Sequence, residues 1–214
     1  MSSNIASLPS VKGKKQELKH NSAVEIKAGS EEKEFAMKME VPQGSAAVVI
    51  SGKMPYSFKN RLMATMSAQI ISKCLLNEVR EKEGAVYSIF TQGSQERLSE
   101  ISVTYQTIFQ VKPEKKDHAL EIIRSEFKKL AKETPVEELD KVKEFMVKQI
   151  TEDEHTNSYW CSMMPGYELL PSSVIYVKAE QTILSITPGE LSGYVNEVMK
   201  QNNYRVLVMM PEGK

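Results

Sequence analysis

Hydrophobic and polar positions alternate in some stretches of the chain and recur at helical spacing in others. Phe35, Met37, Met39 and Val41 alternate with small or charged residues, which predicts a half-buried strand ended by Pro42-Gln43-Gly44. Ala46-Ala47-Val48-Val49-Ile50 is a short apolar run bounded by Gly52 and Pro55, the pattern of a buried strand. Phe58, Leu62, Met66 and Ile70 then fall on one stripe of a long helix, widened by Met63, Ile71, Cys74, Leu75 and Val79. Ser57 is placed to cap its start, and Gly84 stands just past its end, where a left-handed turn residue is favoured. After Gly84 the period changes to two. Residues 85 to 91 alternate up to a polar turn at Gly93-Ser94, and Ile101, Val103, Tyr105, Thr107 and Phe109 alternate again, which predicts a hairpin.

Pro113 opens a further helix whose apolar face is Leu120, Ile123, Phe127 and Leu130. Thr134-Pro135-Val136-Glu137 reads as a capping box with proline at the first helical position, ahead of Leu139, Val142, Met146 and Ile150. Thr187-Pro188-Gly189-Glu190 repeats that start signal before Leu191, Tyr194, Val195 and Val198. Residues 157 to 184 read as mostly helical, broken near Pro165-Gly166 and Pro171. Tyr204 to Met210 is a nearly unbroken apolar run that predicts a central strand before Pro211. The expected class is therefore α+β: a mainly antiparallel sheet with helices packed on one face. Residues 1–33 are polar and mixed, with Lys12, Lys14, Lys15 and Lys19, and are expected to be a linker leading into one domain over residues 34–214.

Composition narrows the function classes. The 214 residues carry 28 Lys plus Arg against 28 Asp plus Glu, a formal net charge of zero. That balance argues against a basic nucleic-acid binder and against a polybasic membrane-surface protein. No apolar window is long enough for a membrane span, and the first residues lack the charged and apolar regions of a signal peptide. The two cysteines, Cys74 and Cys161, are too few for a disulfide framework and read as small buried hydrophobes, compatible with either a periplasmic or a cytoplasmic home. His20, His118 and His155 are too far apart for metal-ligand spacing. The run Glu152-Asp153-Glu154-His155 reads as a solvated helix end, because consecutive helical residues point in different directions and cannot converge on one ion. Helix-borne zinc pairs, phosphate-cradling glycine loops and nucleophile elbows have no match in the sequence.

One stretch carries a more specific pattern. Leu75 or Leu76 through Ser88 follows the form L-x-x-x-x-R-E-x-x-G-x-x-Y-S, joining the long helix to the first hairpin strand. In this stretch the chain resembles the C-terminal domain of the M16 zinc metallopeptidases, the pitrilysin and insulinase family that includes mitochondrial processing peptidase. The likeness extends over about residues 35 to 212, through Lys59-Asn60, Pro113-Glu114, the Thr134-Pro135 helix start, Asn157-Ser158-Tyr159-Trp160, Ile186-Thr187 and the terminal Met209-Met210-Pro211-Glu212.

The resemblance implies the LuxS/MPP-like metallohydrolase fold and a division of labour. The zinc and its ligands are expected in a separate catalytic half, in cis or on a partner subunit, and no metal is expected on this chain. Arg80 and Tyr87, seven positions apart, match the family's substrate-contacting pair. A tyrosine hydroxyl can donate to a peptide carbonyl oxygen as it gains charge, and an arginine fork can hold backbone carbonyls. Without that family context, Arg80 would be read as a helix-terminal cation and Tyr87 as an ordinary strand residue. The expected function is the substrate-binding domain of a zinc metalloendopeptidase, inactive alone. The alternative is a non-catalytic binding or assembly module of the same fold.

Overall fold

The computed structural model describes residues 28–39, 43–82, 86–95, 103–161 and 179–212. Its elements are β1 (Glu31–Met37), β2 (Gly44–Gly52), α1 (Phe58–Leu75), a π-helical segment (Leu76–Lys82), β3 (Val86–Gln95), β4 (Val103–Val111), α2 (Lys116–Lys132), α3 (Val136–Asp153), α4 (Ala179–Ser185), α5 (Pro188–Lys200) and β5 (Asn203–Pro211). A short helical turn at Pro113–Lys115 leads into α2. The strands form one sheet in the order β1-β5-β2-β4-β3. Three of its four pairings are antiparallel, and β1 lies parallel to β5. The predicted α+β class, mainly antiparallel with a helical layer, is the architecture found.

The register explains why one sheet face forms the core. Val48 lies opposite Thr107 on one side and Val206 on the other, and Ile50 lies between Tyr105 and Tyr204. These six side chains are buried beneath the helices. Ile108 and Leu207, at intervening positions, are exposed on the other face. Tyr105 ties the layers together. Its ring meets Phe127 of α2 edge-on at a centroid distance of 5.4 Å, and its hydroxyl lies 2.7 Å from Ser67 Oγ of α1. Burial holds the Tyr105 phenol far above its ordinary pKa, so it stays a neutral hydrogen-bonding group.

Several sequence expectations are corrected. The first strand runs over Glu31–Met37 instead of reaching Val41, and every residue in it is exposed. It is an edge strand paired with β5, and Phe35 and Met37 stand in register with Met209 and Pro211 on the sheet face away from the helices, so its alternation does not bury them. The Gly93-Ser94 pair lies within β3 and does not begin a turn. Gly93 is there for contact: a Cβ at this position would stand 2.2 Å from the Ala64 carbonyl oxygen of α1. The long helix is α-helical only to Leu75 and continues as a π segment. The predicted turn residue Gly84, and the breaks at Pro165-Gly166 and Pro171, lie outside the described residues.

The two threonine-proline starts behave differently. At Thr187 both arms of the capping box form, with the Glu190 amide donating to the threonine hydroxyl and the Thr187 amide donating to the Glu190 carboxylate. At Thr134 no box forms. The helix cap is Pro135, and Glu137 is drawn outward to Lys141 one turn ahead. Glu138 instead bridges to Lys73 of α1, whose hydrogen bond holds its carboxyl below the usual carboxylate range. The Thr134 hydroxyl is buried with no hydrogen-bond partner among the described residues. Ser57 caps α1 as expected, accepting from the Asn60 amide.

Two measurements check this packing by chemical denaturation. Gly93→Ala should destabilise the chain by about 3 kcal/mol, because the Ala64 backbone cannot yield, whereas Gly193→Ala, exposed and uncrowded in α5, should stabilise it by about 1 kcal/mol. Thr187→Ala should cost about 1 kcal/mol through loss of the cap, while Thr134→Val should be neutral or stabilising because it removes an unpaired buried hydroxyl.

Candidate functional site

The two residues singled out by the family resemblance both occupy irregular backbone. Arg80 lies in the π-helical segment, which continues from the C-terminus of α1. Val79 beside it is fully buried and fixes the segment against the core, leaving Arg80 exposed. A π segment has a wider turn than an α-helix, so it shifts the angular position of every residue after it. Tyr87 lies in β3 where the ladder register slips: Val86 pairs with Val111, Ser88 with the adjacent Gln110, and Tyr87 is the extra residue between them.

That slip changes the reading of the strand. Unbroken alternation over residues 85–91 would place Ala85, Tyr87, Ile89 and Thr91 on one face. The buried set found is Val86, Ile89 and Thr91, with Ser88 exposed, so the alternation changes phase across Tyr87. Bulges of this kind bend a strand and re-aim the extra residue, and they are enriched beside functional sites. Neither irregularity is legible from hydrophobic periodicity, because each is a one-residue change in register. Three residues connect the π segment to β3, so both irregularities sit at the two ends of a short connection.

The surroundings at the end of α1 are charged and partly covered. Cys74 is half-buried against the core, and its thiol is pushed up first by burial and then by Glu126 and Glu138. Glu126 is itself buried and pairs with Lys129. Cys161, expected to be a buried hydrophobe, is exposed, and Trp160 next to it is also largely exposed, with its indole N–H donating to the Glu154 carbonyl. The short helical turn carrying them extends beyond α3, past the packed core. His118 and His155 are exposed, and His20 lies outside the described residues. Among the described residues no group of three or more His, Cys, Asp or Glu side chains is placed to hold a metal ion, and no helix is long and apolar enough to cross a membrane.

With the fold and these positions established, comparison with known proteins becomes informative. A family model described as the Peptidase M16 inactive domain matches residues 1–146, which include both Arg80 and Tyr87. The chain belongs to this family. No curated protein matches it by sequence. Among solved structures it is similar to the periplasmic protease PqqL from Escherichia coli, with TM-score 0.75 and 15% identity over 87% of this chain and 21% of that one. It is also similar to a peptidase M16 inactive domain from Pseudomonas fluorescens, with TM-score 0.66 and 18% identity over 87% of this chain and 44% of that one. A protease from Helicobacter pylori matches with TM-score 0.68 and 17% identity, over 86% of this chain and 44% of its own. At these identities the likeness is one of fold, and this chain spans less than half the length of each.

The cysteine environments predict different reactivity. At neutral pH an alkylating reagent should modify Cys161 at least about tenfold faster than Cys74, whose thiolate is disfavoured by burial and neighbouring carboxylates. Peptide mass spectrometry over a time course reads the order directly, and equal rates would contradict it.

Proposed function

We propose that this M16 inactive domain is the substrate-binding part of a zinc-dependent endopeptidase, acting with a catalytic domain in cis or on a partner subunit. The observation that carries the reading is the placement of Arg80 and Tyr87 on a π-helical segment and a β-bulge, at the two ends of one short connection. A strand or helix that served packing alone has no use for such register changes, which persist where a backbone must aim a particular side chain.

In this reading Tyr87 donates its hydroxyl hydrogen to the scissile carbonyl oxygen as negative charge develops there. Arg80 presents its planar fork of N–H donors to backbone carbonyls of the peptide, holding it in register with the catalytic half. In this reading the metal and its general base belong to the catalytic half. The chain alone binds peptide but does not hydrolyse it.

The test uses the full-length parent enzyme. Tyr87→Phe should lower kcat/KM for peptide cleavage by about two to three orders of magnitude, and Arg80→Ala should act chiefly by raising KM. Zinc content and melting temperature should stay at wild-type values. Wild-type cleavage rates in both variants would overturn the assignment in favour of a non-catalytic binding or assembly module.

A further inference from the structure

Nine of the 28 lysines and arginines of this chain have an acidic partner close by among the described residues. Lys33, Lys59, Lys73, Lys116, Lys129, Lys141, Lys148, Lys200 and Arg205 each lie within ion-pair distance of a carboxylate. Arg124, Lys128 and Lys132 form a contrasting set. They are exposed on α2 at successive i, i+4 spacing, and none of them has a carboxylate within ion-pair distance among the described residues. In a chain of zero net charge this is a local concentration of unneutralised positive charge.

The three cations also line a formed concavity. A groove of about 390 Å³ runs along them, with Glu121 at one end and Ser125 on its wall. Arg124 and Lys128 also border a second hollow of about 270 Å³, lined by Ser30, Asn202 and Asn203 where α5 turns into β5. Arg124 is held in place there, its guanidinium 4.3 Å from the centroid of the Tyr204 ring. That stacking limits the side-chain entropy a ligand would otherwise have to remove.

We propose that this groove is a docking site for an extended acidic peptide segment carrying carboxylates at alternate positions. The spacing supports this class of ligand. Residues four apart on a helix are separated by about 6 Å along its axis. Alternate side chains of an extended peptide lie about 6.6 Å apart on one face. Three carboxylates in an E-x-E-x-E arrangement therefore match Arg124, Lys128 and Lys132 one to one. Other polyanions fit less well. Tyr204 is only 9% exposed and lies beneath Arg124, so no ring is open for base stacking by nucleic acid. Neither α2 nor α5 exposes a large apolar side chain that could enter a lipid surface. The proposal is independent of the roles given to Arg80 and Tyr87.

Fluorescence anisotropy on the 214-residue chain tests it, with a labelled peptide of alternating glutamate and serine as the probe. Saturable binding is expected, weakening as salt is raised. The alternating peptide should bind at least about threefold more tightly than a block isomer of the same composition, because only the former matches the spacing. Arg124→Gln and Lys128→Gln should each weaken binding by about two- to fivefold, and a triple variant that adds Lys132→Gln should do so by more than tenfold. Lys148→Gln on α3 should leave it unchanged. Circular dichroism establishes that each variant is folded. Absence of binding, equal affinity for the block isomer, equal loss with Lys148→Gln, or tighter binding of single-stranded DNA or anionic vesicles would each overturn the proposal.

Discussion

The close approach of α1 to β3 is the constraint on which the rest of this domain depends. A side chain at residue 93 would collide with the Ala64 carbonyl, so glycine lets the helix lie directly on the strand. From that contact the helix layer continues through Tyr105, which meets α1 by its hydroxyl and α2 by its ring. Burying each large apolar side chain of this face contributes roughly 1.5–3 kcal/mol, and the sum is available only because the layers are in contact. The same approach leaves little chain between the end of α1 and the start of β3. The π segment and the bulge at Tyr87 stand at the two ends of that short link.

This geometry connects stability to the candidate function. The core anchors Val79 and Val86 are buried on either side of the connection, next to Arg80 and Tyr87 respectively. The candidate pair is thereby attached next to buried core positions. The charged features lie elsewhere. The α1–α3 bridge from Lys73 to Glu138 ties two helices together, and the unpaired cations of α2 face solvent over a groove. Exposed ion pairs of the first kind add little to stability, so the lack of a carboxylate beside Arg124, Lys128 and Lys132 among the described residues has little energetic cost and leaves those cations available to a ligand.

Much of the fold was legible in the amino-acid order because single-face burial imposes simple periods. The stripe Leu120, Ile123, Phe127 and Leu130 is buried as its spacing requires, and so are Val103, Tyr105, Thr107 and Phe109. The failures share a cause: neighbours from distant parts of the chain overrode a local signal. Thr134 has the sequence of a capping box, but Lys73 and Lys141 claim its glutamates. Phe35 and Met37 have the alternation of a half-buried strand, but pairing with β5 places them on the sheet face away from the helices. Cys161 sits beside Trp160 in the sequence, yet is exposed on a turn of helix beyond α3.

The sequence by itself determined the class of the domain, the family motif from Leu75 to Ser88 and the identity of Arg80 and Tyr87 as candidates. Periodicity and motif are properties of order along the chain, and they need no knowledge of neighbours. Tertiary structure alone decided that Gly93 is a contact residue, that Arg80 and Tyr87 stand on two register changes, and that three unpaired cations share one groove. Each of these depends on which distant atoms come within a few ångströms, and linear spacing does not encode that.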